Sequence, residues 1–315
     1  MGNKCLYCYQ PLDESDHDFH AKCSKKIFGA AQAPVLDYSL DQMLDLAKKV
    51  VQSHVTVPGV QAKLSFHFEP GRRQENRLTL VGVLGNYILK PPTQQFANLP
   101  ENEDLTMHLA GLFKINVVPH SLIRLKSGEL AYITKRIDRV GGQKLPMEDL
   151  CQLSERLTED KYKGSMEQVG KVILKHSSNP LFDAQVFFEL TLFSFLTGNA
   201  DMHLKNFSII DSESGLTQLA PAYDLLSTRL VISEKEDPEE MALTLNGRKR
   251  KLKPVDFLHL TNGLNLNQKQ VNNIFKRFQK AMPIVLDFID ESFLPEDKKM
   301  EYRELIEERG KRLWP

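Results

Sequence analysis

Asp201 and Asn206 stand five positions apart in the run Gly198-Asn199-Ala200-Asp201-Met202-His203-Leu204-Lys205-Asn206-Phe207, and an isolated Asp224 follows in Pro221-Ala222-Tyr223-Asp224-Leu225. A carboxylate, then an amide oxygen, then a second carboxylate is the set that phosphoryl transfer needs. One Asp receives the proton of an attacking hydroxyl, while the Asn and the later Asp hold a metal at the phosphates. Asp-x4-Asn alone arises often by chance, and either Asp alone reads more simply as a helix cap or a turn residue. The weight lies in the ordered set, which also has an upstream lysine. Lys90 closes the strand-like run Tyr87-Ile88-Leu89-Lys90 before a proline pair. An ammonium there can reach phosphate oxygens as a point charge. Glu103 is either its carboxylate partner or an exposed first-turn glutamate.

These residues need elements to place them. Asp41–Val51 has its apolar residues on one helical face. Leu64–Phe68 alternates like a strand, and 78–83 and 86–90 read as strands joined through Gly85-Asn86. Residues 102–114 read as a helix with acids in its first turn, where the dipole favours them. Residues 121–125 and 129–135 form a hairpin around Lys126-Ser127-Gly128. From about 146 the pattern turns mostly helical. Phe182–Leu196 is apolar nearly all round, which predicts a buried helix. Further helices are expected over 267–289 and 296–312. The phosphoryl-transfer set thus follows directly on the most buried helix. The division expected is a Cys/His-rich segment over 1–30, a strand-rich lobe over 31–145 and an all-helical lobe over 146–315.

The 315 residues carry 41 basic and 41 acidic side chains, so the formal net charge is zero. That argues against electrostatic binding of nucleic acid over the whole surface. The basic run Arg248-Lys249-Arg250-Lys251-Leu252-Lys253 reads as a solvated loop. No apolar run has membrane-spanning length and no leader peptide is evident, so a cytoplasmic protein with no membrane partner is expected.

Three of the four cysteines fall in the first 23 residues. Cys5-x2-Cys8 with His20-x2-Cys23 offers three thiolates and an imidazole in two close pairs, a set that suits tetrahedral Zn2+. The alternative is that Tyr7, Leu12 and Phe19 pack this segment without metal. Cys151 is isolated and reads as structural.

Taken in order, Val57-Pro58-Gly59-Val60-Gln61-Ala62-Lys63-Leu64, Tyr87-Ile88-Leu89-Lys90-Pro91, Glu101-Asn102-Glu103, Lys135-Arg136-Ile137-Asp138-Arg139, Leu145–Gln152, Gly198–Phe207 and Ala220–Asp224 resemble the HipA-like kinases. These are the toxin kinases of bacterial toxin–antitoxin operons. The chain is most similar to their shorter HipT branch, in which an N-terminal subdomain is a separate small protein. The resemblance implies an α+β, two-lobed protein-kinase-like fold with nucleotide in the cleft. It implies a Ser/Thr protein kinase using ATP and Mg2+, with an aminoacyl-tRNA synthetase as substrate. Partners would be a small antitoxin protein and a helix-turn-helix DNA-binding protein from the same operon.

By the same resemblance Asp201 is the catalytic base, and Asn206 and Asp224 hold Mg2+. Lys90 binds phosphates and His203 faces the nucleotide. The segment holding Gly59, Gln61 and Lys63 is the phosphate-covering loop. Thr56 takes the place of its autophosphorylated serine, and Pro58 that of a second one. The backbone at Lys135 and Ile137 meets the adenine. The alternatives are a small-molecule kinase on the same fold and an inactive regulatory binding module.

Overall fold

Alternating apolar residues build the sheet of the first of two units. The computed structural model describes residues 4–14, 16–53, 62–71, 75–81 and 85–314. Unit one comprises Met1–Leu105, Val118–Ile137 and Glu291–Leu294; unit two comprises Thr106–Val117, Asp138–Asp290 and Pro295–Pro315.

Unit one begins with helices α1 (Ala21–Phe28) and α2 (Leu40–Ser53), followed by strands β1 (Leu64–Glu69), β2 (Arg77–Leu80) and β3 (Tyr87–Lys90). Helix α3 (Leu99–Leu112) opens in unit one and continues into unit two. Strands β4 (His120–Arg124) and β5 (Leu130–Lys135) complete an antiparallel five-stranded sheet in the order β2-β1-β3-β5-β4. Leu64 and Phe66 of β1, Tyr87 and Leu89 of β3, and Leu122 and Ile133 of the β4–β5 hairpin all point into one core. Cys5, Leu6, Phe19, Cys23, Ile27 and Phe28 belong to that same core. The N-terminal segment is therefore packed on the sheet. It also contains a helix, α1, within the segment singled out only as Cys/His-rich. Strand β2 ends at Leu80, short of the expected 83; residues 82–84 lie outside the described ones.

Unit two holds the hairpin β6 (Arg139–Val140) and β7 (Gln143–Lys144), strand β8 (Met147–Asp149), and helices α4 (Leu150–Leu153), α5 (Met166–His176) and α6 (Pro180–Leu196). Strands β9 (Ser208–Asp211) and β10 (Thr217–Leu219) follow, then helices α7 (Pro254–Gly263), α8 (Gln268–Asp290) and α9 (Glu296–Leu313). The expected all-helical lobe is corrected by the small β10-β9-β8 sheet. Its strands are only three or four residues long, too short for a period-2 pattern to stand out. Helix α6 is buried as its composition requires. Phe193 meets Phe113 at 5.7 Å, Phe195 meets Phe257 at 5.1 Å, and Phe187 meets Phe207 at 5.4 Å, all edge-on. Phe207 directly follows Asn206, so the loop beyond α6 is anchored in this core. Among the described residues, no helix is long and apolar enough to cross a membrane.

Candidate active site

Helix α6 ends at Leu196, and Gly198 turns the chain out with φ +71°. A Cβ built there would lie 2.7 Å from Leu305 Cδ2, so the turn tolerates little but glycine. The loop beyond is braced by its own polar groups. Thr228 Oγ1 donates to the Gly198 carbonyl at 2.9 Å and accepts from the Ala200 N–H at 2.9 Å. Asn199, fully buried, accepts the Asp201 N–H at 3.1 Å. The Asp201 carbonyl accepts the His203 N–H at 2.8 Å and the Asn206 side-chain amide at 2.9 Å. Asp201 and Asn206 are thus tied together. Because Asn206 donates through Nδ2, its Oδ1, the atom a hard cation takes, faces the other way.

Asp224 joins them through the β9–β10 hairpin. Leu219 pairs with Ile209, and the Ala220 N–H donates to the Ser208 carbonyl at 2.8 Å. This ladder carries the segment after β10 back to the start of β9, two residues past Asn206. Tyr223 fastens the approach. Its Oη lies 2.5 Å from Ser208 Oγ and donates to the Lys205 carbonyl at 3.1 Å. Asp224 itself has φ +56°, an uncommon conformation for a residue with a side chain and one found often at functional sites.

His203 is buried, and its Nδ1 has no hydrogen-bond partner among the described residues. Burial pushes its imidazole below the ordinary value and Lys161 adds to that; the charges of Asp201 and Asp224 only partly offset both. A neutral ring with an unsatisfied buried nitrogen is what a site for a polar ligand leaves behind in its absence. Oxygen donors at Asn206 and Asp224, with this orphan beside them, fit a nucleotide and a hard divalent cation.

Sequence reasoning missed Tyr162. Its Oη donates to Asp201 Oδ1 at 2.6 Å, and its ring meets His203 edge-on at 5.0 Å. Burial and then the Asp201 charge push the Tyr162 phenol well above its ordinary value, so it remains a donor. Nothing in the sequence marks a tyrosine 39 positions from its partner. Tyr223, by contrast, adjoins Asp224 in the motif already singled out.

In unit one, Lys90 Nζ lies 2.5 Å from Glu103 Oε1, with the two side chains 4% and 2% exposed. The partnered reading of Glu103 is therefore the one realised. Lys90 also sits 5.4 Å from the Tyr132 ring centroid. Lys63, exposed, precedes β1. The Lys135 N–H is taken by the Pro119 carbonyl at 2.9 Å, and Ile137 is half-buried just past β5. Thr56, Gly59 and Gln61 lie outside the described residues. Cys5, Cys8, His20 and Cys23 come together, one ligand atom from each lying within 4.8 Å of the others. Cys151 donates its thiol to the Arg156 and Leu157 carbonyls at 3.4 and 3.2 Å.

Residues 55–285 match the family model of the HipA-like C-terminal domain. The Sinorhizobium fredii protein Y4dM, provisionally named a kinase, is 32% identical over 228 residues, 69% of this chain and 55% of that protein. The serine/threonine-protein kinase toxin HipA of Shewanella oneidensis is 27% identical over 193 residues, 55% of this chain and 43% of the toxin. The chain thus spans about half the length of these curated relatives. The structure of Shewanella oneidensis HipA, in complex with HipB and operator DNA, is similar with a TM-score of 0.66 at 22% identity, covering 84% of this chain and 70% of that one. That likeness gives the fold as the two-lobed, kinase-like one.

Proposed function

Because the chain belongs to the family of the HipA-like C-terminal domain, we propose that it is an ATP-dependent Ser/Thr protein kinase acting as the toxin of a toxin–antitoxin system. One observation carries the reading: Asp201 and Asn206 are locked in one loop by the Asn206 amide, and Tyr223 ties the Asp224 segment to that loop. A scaffold that only binds a partner has no use for this arrangement.

In the proposed reaction Asp201 orients the substrate hydroxyl and accepts its proton as the oxygen attacks the γ-phosphorus of ATP; the bond to the β–γ bridging oxygen breaks and ADP leaves. Tyr162 holds the carboxylate in place through Oδ1, which leaves Oδ2 for the hydroxyl. Asn206 Oδ1 and the Asp224 carboxylate would hold Mg2+, which neutralises charge on the phosphates. The His203 Nδ1 lone pair would accept a hydrogen bond from the nucleotide. Lys90, fixed by Glu103, would bind phosphate oxygens; its burial keeps water from competing for the ammonium. Lys63 and the backbone around Gly59 and Gln61 would cover the phosphates, and the backbone at Lys135 and Ile137 would meet the adenine.

Finer parts of the reading rest on the family resemblance. The substrate would be an aminoacyl-tRNA synthetase. The partners would be a small antitoxin and a helix-turn-helix DNA-binding protein, and the branch would be HipT. Thr56 would be the autophosphorylation site, where a phosphate adds nearly two negative charges against the triphosphate and lowers ATP affinity. Incubating the purified protein with γ-labelled ATP and Mg2+ in a cell lysate tests the function. A discrete labelled protein band is expected. Label confined to small metabolites would make it a small-molecule kinase, and no binding of Mg·ATP even at millimolar levels would make it an inactive binding module.

A further inference from the structure

The four Cys/His side chains of the N-terminal segment are spaced like the corners of a metal-binding tetrahedron. His20 Nδ1 lies 3.4 Å from Cys8 Sγ and 3.8 Å from Cys23 Sγ. With Zn–S bonds of about 2.3 Å and Zn–N bonds of about 2.0 Å, a tetrahedral site has N···S edges of roughly 3.5 Å. The other ring nitrogen, Nε2, lies 2.9 Å from the Pro11 carbonyl. A carbonyl can only accept, so Nε2 carries the proton and Nδ1 turns its lone pair toward the sulfurs. Metal-binding histidines are oriented in this way by a carbonyl behind the ring. The cysteines are all free thiols, with Cys5 and Cys23 buried. The aromatic packing that could have made a metal unnecessary does not explain why an imidazole lone pair faces two thiols.

We propose that Cys5, Cys8, His20 and Cys23 hold a structural Zn2+, and that this metal clamps the two elements that carry the Lys90–Glu103 pair. Two routes lead there, both inside unit one. Cys23 lies in α1, whose Ile27 carbonyl accepts from Tyr87 Oη at 3.0 Å. Tyr87 opens β3, the strand that Lys90 ends. Tyr9, one residue past Cys8 and held at φ +63°, donates its Oη to Asp104 Oδ2 at 2.6 Å. Asp104 adjoins Glu103 on α3, and its other oxygen meets His120 Nδ1 at 2.7 Å. The loop between Cys5 and Cys8 is itself seated on β4, since the Leu6 carbonyl accepts from the Leu122 N–H at 3.3 Å and Ser121 Oγ at 3.1 Å. Without the metal, the segment would have to hold these contacts by its packing on the sheet alone, and small segments of this kind do so poorly.

The test needs no kinase activity. Protein purified without chelator should contain one zinc per chain. Stripping it with a thiol-reactive reagent and chelator, followed by reduction, should lower Tm by about 10 °C, and added zinc should restore it. Cobalt added to the stripped protein should give the visible absorption of a tetrahedral thiolate site. Cys8→Ser should lose the metal; should it fail to fold, the cobalt spectrum of the unmutated protein still decides. Hydrogen exchange should rise on stripping at Tyr87–Lys90 and Asn102–Leu105 as well as in the N-terminal segment. A folded protein that binds neither metal, or that carries a disulfide among these cysteines, overturns the site. Faster exchange confined to residues 4–28 overturns the clamp.

Discussion

Replacing Lys90 by Met removes one charge of a pair whose side chains are 4% and 2% exposed and whose polar atoms lie 2.5 Å apart. Glu103 then stays buried without the ammonium that Lys90 held against it, or takes up a proton. Breaking a buried pair in this way costs about 3–5 kcal/mol. Glu103→Leu removes the carboxylate from the buried ammonium instead and should cost a similar amount. Removing both charges removes the desolvation penalty along with the attraction, so Lys90→Met/Glu103→Leu should fall within about 1 kcal/mol of the starting protein. The two substitutions should therefore be strongly non-additive, by about 3 kcal/mol or more. Urea unfolding of the four proteins, followed by a probe in unit one, measures this directly. ATP binding supplies the second readout. The double variant should fold yet bind ATP as poorly as Lys90→Met, because the proposed phosphate ligand is gone whatever the stability. A Lys90→Met protein as stable as the parent would refute the buried-pair reasoning. A double variant that binds ATP normally would refute the role of Lys90.

Three further outcomes are expected. Tyr162→Phe removes the 2.6 Å bond to Asp201 Oδ1 at a place where the tyrosine is 44% exposed, so stability should change by less than about 1 kcal/mol. Its kcat should nonetheless fall about tenfold, through a poorly oriented base, with the KM for ATP unchanged; equal kcat would make Tyr162 a bystander. Burial, opposed by its own backbone N–H and aided by the Asp104 charge, pushes the Glu101 carboxyl from 4.5 up to about 7. The folded state then keeps a proton that the unfolded chain has lost, so stability is full below about pH 4.5 and is lost as pH rises through about 7. Melting curves across that range should show a decline, worth at most roughly 3 kcal/mol, that Glu101→Gln flattens; parallel curves would remove this cause. Folded Thr56→Ala should keep its ATP affinity while Thr56→Asp loses some of it, as isothermal titration would show, and equal affinities would remove the proposed regulatory role of Thr56.

Much of this arrangement was legible because it is local in sequence. The apolar run through Phe182–Leu196 could only be a buried helix, and it is one from Pro180 to Leu196. The Asp201–Asn206 spacing is a property of one loop, and the turn that aims it is fixed by one glycine. The hairpin over β4 and β5 followed from its turn residues. What escaped is what only folding brings together. Tyr162 meets Asp201 across 39 positions, and Tyr9 meets Asp104 across 95. Helix α1 was hidden because His20 at its N-cap makes no side-chain cap bond and its first turn holds no acid. The β8–β10 sheet was missed because its three strands are too short to outweigh the helical residues around them. In the basic run at 248–253, Lys249 is paired to Glu239 at 3.0 Å, while Arg248, Arg250, Lys251 and Lys253 are exposed.

The central claim is that Asp201 serves a phosphoryl-transfer reaction. The direct measurement is the single-turnover transfer of the γ-phosphate from ATP by the parent protein and by Asp201→Gln, each shown to be folded by circular dichroism. The glutamine is one methylene longer and can still hydrogen-bond, but its amide cannot take the hydroxyl proton. Transfer by the parent and a loss of about 10²–10⁴-fold in the variant, with ATP still bound, is the result predicted. A folded Asp201→Gln protein that transfers phosphate at the parent's rate would contradict the account.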